Sequence, residues 1–455
     1  MGADNYNQDV SQVFRGHVFH VAGSTGLEDA KESLVAIPNG QVLVNEAGRI
    51  TACGPRDDAA IPAGASIVEA PFVLPGLIDT HVHFPQLYAM DRYGGGQLLE
   101  WLDRCIFPAE ARLADPAYGA VAAADFTDAL ARAGTTCALV FGSQFPVAQE
   151  ALFHALSARG LRAIVGRTSM VLGPEALTTS IAENLRQCRD EIDRWHPAPD
   201  DLEESLLRAA LIPRFALSFD QDGLRAFGEL WEEMRERNVH FSTHLSENAR
   251  PGDGEVAQVL ATFGVEAYLD VYASFLSERS VFAHAVHCTD AEYTRLAAAG
   301  CGIAHCPTSQ LFLGSGTMPM RRVRDHGVRM GLGTDWGAGD DDSIAQVANA
   351  SAKVHGGADH PTSLHPAELL HLATLGGARV LRLDHRIGNL DAGKDADLVL
   401  VDPGRHPPLA RRLSRIGAET TDDASVLFAL LMGMGRDTIA RTVVRGRTVY
   451  EADTR

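Results

Sequence analysis

The side chains best suited to chemistry stand at the ends of apolar runs. The first such run is Leu74-Pro75-Gly76-Leu77-Ile78-Asp79-Thr80-His81-Val82-His83. Alternate residues of an extended strand point the same way, so His81 and His83 present both imidazoles to one side and can share a metal ion. Other apolar runs close on Thr243-His244-Leu245-Ser246-Glu247, on Val281-Phe282-Ala283-His284, and on Gly331-Leu332-Gly333-Thr334-Asp335. Taken singly, each has an ordinary explanation: a histidine that happens to end a strand, a surface carboxylate at Glu247, a helix-capping aspartate at Asp335. Four strand ends that all carry ligand-type residues point elsewhere. His81, His83, His244 and Asp335 offer three nitrogens and a carboxylate, a set that suits zinc with room for water, or iron(II). Glu247, three residues past a ligand, can move protons beside the metal without binding it. His284 is preferred to the nearby His287 because it sits directly at the strand end. The small residues before Asp335 allow close packing there.

These residues need a frame that brings strand ends together. Strand-like runs fall at residues 74–79, 136–141, 163–168, 210–214, 240–244, 281–284, 302–305 and 329–334. Helical stretches lie between them. Residues 120–133 form one, and residues 224–237 another, with Leu224, Phe227, Leu230, Trp231 and Met234 on one face. Strand–helix alternation repeated about eight times predicts an α/β fold, a TIM-like (β/α)8 barrel whose strand C-termini form the active face. Both chain ends are β-rich. Val42–Val44 and Ile50–Ala52 flank a turn, and residues 397–401 and 442–450 form further β-rich runs. The expected organisation is a small β-sandwich built from residues 1–70 and 385–455 around a catalytic barrel at 71–384. Glycine runs at Gly94–Gly96 and Gly314–Gly316 lack the lysine of a phosphate loop and read as flexible loops. His305 and Cys306 read as packing residues, Asp340–Asp342 as a solvated turn or helix start, and the proline-rich 197–199 and 405–408 as loops.

Bulk properties narrow the partners. The 455 residues are 45% hydrophobic, enough for a large core, and carry a formal charge of −19. That balance argues against nucleic-acid or anionic-membrane binding, which need basic surface. Seven scattered cysteines without a CxxC pair suggest reduced thiols in a cytoplasmic protein. No signal-peptide pattern and no stretch of 18 apolar residues is present.

In order and spacing, PGLIDTHVH, HLSE, AHA and GLGTD resemble the amidohydrolase superfamily. The stretch from Gly388 to Asp397 resembles its return from barrel to β domain. Phe84-Pro85-Gln86, Leu98-Leu99-Glu100-Trp101-Leu102, Phe107-Pro108-Ala109-Glu110, Ile212-Pro213-Arg214-Phe215 and Cys306-Pro307-Thr308-Ser309 are similar to guanine deaminases within it. This resemblance implies a small-molecule nucleobase as substrate, held by Gln86, Arg214 and Phe215 beside His83, His244, Glu247 and Asp335. A glutamine offers a donor and an acceptor, and arginine donates to a carbonyl such as guanine O6. It also implies a homodimer. Binuclear relatives bridge two metals with a modified lysine on a middle strand. Lysines occur only at Lys31, Lys353 and Lys394, so one metal per chain is expected. The implied chemistry is hydrolytic deamination: a water made acidic by the metal loses its proton to Asp335 and attacks C2, Glu247 protonates N3, and His284 steadies the attacking oxygen. The alternatives are a pterin, 8-oxopurine or triazine as substrate, or a non-catalytic relative. Trp336 after Asp335, and Gln310 where asparagine is common, depart from the family pattern and bear on pocket shape.

Overall fold

The computed structural model describes residues 10–24, 26–90, 97–358, 361–419 and 422–453. Gly94–Gly96 lies outside them. The apolar runs of the chain's middle form eight parallel strands: β5 (Leu77–His83), β6 (Thr135–Gly142), β7 (Arg162–Ser169), β8 (Leu207–Pro213), β9 (His240–Leu245), β10 (Ser280–His284), β11 (Gly302–His305) and β12 (Arg329–Leu332). They lie in sequence order in one eight-stranded sheet. All eight match the expected runs to within a few residues.

The seam between the first and last strands is closed by side chains of the first motif. Asp79 accepts hydrogen bonds from the Thr334 hydroxyl (2.6 Å), the Thr334 amide (3.1 Å) and the His81 amide (3.1 Å). Thr80 donates to the Leu332 carbonyl at 2.8 Å. The Asp335 amide donates to the His81 carbonyl at 2.9 Å, which ties the end of the last strand to the first. Gly333 permits this approach: a Cβ there would lie 2.8 Å from the His81 Cβ. Inward-facing Ile78, Leu139, Ile164, Ile212, Val281 and Ala304 fill the barrel.

Helices cover the outside. Gln221–Arg235 buries Leu224, Phe227, Leu230, Trp231 and Met234, the face its periodicity predicts, and Asp220 caps it by accepting from the Gly223 amide at 2.7 Å. Pro116–Arg132 starts where Asp115 caps it and Pro116 takes the first position.

Both termini join in a second sheet of seven strands. Its order is β15 (Arg447–Glu451), β14 (Ile439–Val444), β13 (Leu398–Val401), β4 (Ser66–Pro75), β1 (Val10–Val21), β2 (Leu34–Asn45) and β3 (Ile50–Pro55). β4 is the hinge of this arrangement, parallel to β1 and antiparallel to β13. Phe14, Val18, Val42 and Val73 from one half share a core with Leu398, Leu400 and Val443 from the other. Between β13 and β14 the chain inserts helices Pro407–Glu419 and Asp423–Gly433. Expecting a loop at 405–408 was therefore wrong at its end, because Pro407 opens a helix, a position where its missing N–H costs nothing. Among the described residues, no helix is long and apolar enough to cross a membrane.

Candidate active site

The strand ends meet. β5 delivers His81 and His83, β9 delivers His244, and Asp335 follows β12. One ligand atom from each of these four lies within 4.8 Å of the others. His81 Nε2 and His83 Nε2 stand 3.2 and 3.3 Å from Asp335 Oδ1. The Nε2 atoms of His83 and His244 face each other at 3.3 Å. Three imidazoles and a carboxylate converge here with their ligand atoms within 4.8 Å of one another, a donor set that fits a metal ion. His244 Nδ1 donates to the Arg214 carbonyl at 2.7 Å, which puts the ring proton there and frees Nε2 for the metal. Burial lowers His83 to about 4 and pushes His244 well below the usual imidazole range. Both are neutral at pH 7, as metal ligands must be. Phe141, which the sequence did not single out, supplies the floor, its ring 4.5 Å from His81, 4.7 Å from His83 and 5.1 Å from His244.

The backbone is strained at the same place. Ser246, His284, Ala285 and Asp335 all have positive φ, at 47°, 71°, 50° and 49°. Non-glycine residues hold such angles where the surrounding structure forces them, commonly at functional sites.

Glu247 is buried beside the ligands without joining the four. Its Oε2 lies 3.4 Å from His284 Nε2, and Ser315 Oγ donates to its Oε1 at 3.5 Å. Burial, with the charges of Asp335 and Glu255, raises its carboxyl well above the usual range. Burial acts on Asp335 in the same sense, but contacts with His81 and His83 outweigh it and hold Asp335 well below. The surroundings thus favour the protonated form of one carboxyl and the ionised form of its neighbour. Burial lowers His284 to about 3, so it is neutral. His287 is elsewhere, with Nε2 donating to the Ser315 carbonyl at 2.7 Å. Gly314–Gly316 is accordingly not a free loop: Ser315 is buried and bonded to both Glu247 and His287.

A small cavity opens over these groups, lined in part by His83, Gln86, Arg214, Phe215, Glu247 and Asp335. The reading from sequence gave Glu110 no role, yet its carboxylate accepts from Arg214 Nη1 at 2.7 Å and from Gln86 Nε2 at 3.2 Å. Glu255 was likewise missed. It accepts from the Glu247 amide (3.0 Å), the Asn248 amide (3.2 Å) and the Tyr268 hydroxyl (2.5 Å), and so pins the loop that carries Glu247. Trp336 points away from the cavity and stacks on Phe126 at 5.7 Å. Gln310 is buried in the helix Pro307–Phe312 and does not line the cavity. Neither side chain forms part of the cavity lining. The acidic run needs correcting, since Asp342 is buried and paired with Arg436 at 3.0 Å. His305 is buried as expected, bonded to His355 at 2.9 Å.

The amidohydrolase family matches residues 72–449. A probable guanine deaminase of Deinococcus radiodurans is 37% identical over 454 residues, covering 96% of this chain and 98% of that protein. The guanine deaminase of Escherichia coli is 37% identical over 384 residues, covering 83% of each. The solved structure of E. coli guanine deaminase superposes with a TM-score of 0.87 at 32% identity, covering 97% of this chain and 99% of that one.

Proposed function

The chain belongs to the amidohydrolase family, and from that premise we propose that it hydrolyses guanine to xanthine and ammonia. The observation that carries this reading is one cavity lined by His83, His244 and Asp335 together with Gln86, Arg214 and Glu247. Near-full-length likeness to guanine deaminases supports the choice of ring.

His81, His83, His244 and Asp335 would hold the ion, with zinc the expected metal. A zinc ion there supplies Lewis acidity that makes water a nucleophile near neutral pH. The chain does the rest. Asp335, ionised, takes the proton of the attacking water. Glu247, kept protonated, delivers a proton to N3 as the ring accepts charge. His284 faces both carboxylates, 3.4 Å from Glu247 and 3.9 Å from Asp335, and steadies the incoming oxygen. Arg214 donates to O6, Gln86 meets the adjacent ring edge and Phe215 covers the ring, so C2 is directed to the reacting water. Asp335 passes the proton it took from water to the C2 amine, which leaves as ammonia, and the proton of the new C2 hydroxyl returns to Glu247 as C2=O forms.

Ammonia release measured across guanine, 8-oxoguanine, pterins and triazines tests the assignment. Guanine should give the highest kcat/KM, and a better pterin or triazine would replace it. We also place one zinc in each chain and pair the chains as a homodimer. Metal analysis of the purified protein should find one ion per chain, and light scattering should give twice the chain mass. A second donor group, Glu247, His284 and Asp335, shares Asp335 with the first. Filling it would take Glu247 out of proton transfer. Two tightly held ions per chain, both needed for turnover, would overturn the single-metal site.

A further inference from the structure

Glu110 is 1% exposed and lies between Gln86 and Arg214, each 2% exposed. We propose that Glu110 is a specificity-determining positioning residue: it fixes which end of the Gln86 amide faces the substrate and holds Arg214 beside it, so that the cavity reads an N–H next to a carbonyl. This rests on the guanine reading above and adds the residue that sets its polarity.

The argument starts from the amide. The two ends of a glutamine side chain are nearly the same shape and opposite in hydrogen-bonding sense. An ionised carboxylate only accepts, so Gln86 must turn its NH₂ to Glu110, where Nε2 donates to Oε1 at 3.2 Å. Gln86 Oε1 is then the end left over, buried and without a hydrogen-bond partner among the described residues, on a side chain that lines the cavity. Gly337 keeps room for it. Its φ is +119°, and a Cβ there would fall 2.3 Å from Gln86 Oε1. Arg214 uses Nη1 on the other carboxylate oxygen at 2.7 Å, with its guanidinium carbon 5.1 Å from the centre of the Phe107 ring. Its remaining N–H groups stay available. A fixed acceptor beside a fixed cationic donor complements the N1–H and C6=O of a 6-oxopurine. A 6-aminopurine offers a bare nitrogen and an amino group at those positions, so both contacts are reversed. Sites built to pair buried polar groups reject analogues that leave them unpaired far more strongly than apolar pockets reject a change of size.

The test compares guanine with 2,6-diaminopurine, which keeps the C2 amine and reverses only the N1–C6 edge. The zinc-loaded wild type should prefer guanine. Glu110→Gln can donate as well as accept and lets the Gln86 amide turn over. It should raise KM for guanine by roughly 10–100-fold, cut the preference for guanine over 2,6-diaminopurine at least about tenfold, and leave zinc content unchanged. Glu110→Asp keeps an obligate acceptor and should keep the preference. Gln86→Met leaves the Glu110–Arg214 pair intact and should lose discrimination in the same direction, which covers the case in which Glu110→Gln does not fold. A folded Glu110→Gln enzyme with wild-type discrimination would overturn the role of Glu110, as would wild-type discrimination in Gln86→Met. A wild type that ignores guanine would instead overturn the guanine reading itself.

Discussion

Glu247→Gln should keep its zinc and its affinity for the purine and lose about 10²–10⁴-fold in kcat, the usual contribution of a positioned acid–base group. Glutamine fills the same volume and can keep the bond from Ser315, which reaches Glu247 Oε1 at 3.5 Å. It cannot release a proton. The loop should not move, because Glu255 holds it through the backbone amides of residues 247 and 248 and not through the side chain. Steady-state kinetics, metal analysis and xanthine binding together give the answer. A variant with near wild-type kcat would mean that the proton comes from elsewhere. Loss of zinc along with activity would mean that Glu247 is a ligand, the role that its grouping with His284 and Asp335 permits on geometry alone.

What the sequence disclosed, and what it hid, follows from how each residue reaches the site. His81, His83, His244, His284 and Asp335 all stand at or just past strand ends, where an apolar run breaks into a polar residue, so local pattern finds them. The strand count was legible for the same reason. Asp79 and Thr80 sit in the best motif of the chain, but their work is closing the barrel between β5 and β12, which no single strand reveals. Glu110 lies in the short helix Phe107–Ala111 and Glu255 opens the helix Glu255–Phe263, so neither stands at a strand end. Glu110 is 104 residues from Arg214, and nothing in its neighbourhood predicts that partner. Asp342 shows the opposite failure. Three successive aspartates read as solvated surface, yet the third is buried, and burial raises it to about 6 despite the pairing with Arg436. Gly314–Gly316 reads as slack from its glycines alone, while Ser315 between them is tied to Glu247. Helix Pro407–Glu419 was missed because its prolines sit in the first turn, where the missing N–H costs nothing.

Arg214→Met should lower kcat/KM for guanine by roughly tenfold to several hundredfold, the loss of a charged hydrogen bond to O6. Zinc content should not change, since the residue positions His244 through its main-chain carbonyl, which the substitution keeps. The ion pair with Glu110 adds a second effect that a bare substrate contact would not have. Both groups are buried at 2.7 Å, and removing one leaves the other without its counter-charge. Breaking such a pair costs about 3–5 kcal/mol, so the single variant should also melt several degrees lower. The double variant Arg214→Met/Glu110→Gln removes both charges and should regain most of that stability while guanine turnover stays low. This separates folding from recognition. 2-Aminopurine, which lacks O6, should be a poor substrate of the wild type and lose little more in Arg214→Met. An equal loss for guanine and 2-aminopurine would place the arginine's effect on the fold or on another group of the ring. Recovery of guanine turnover in the double variant would show that Arg214 does no more than neutralise Glu110, and O6 would then need another donor.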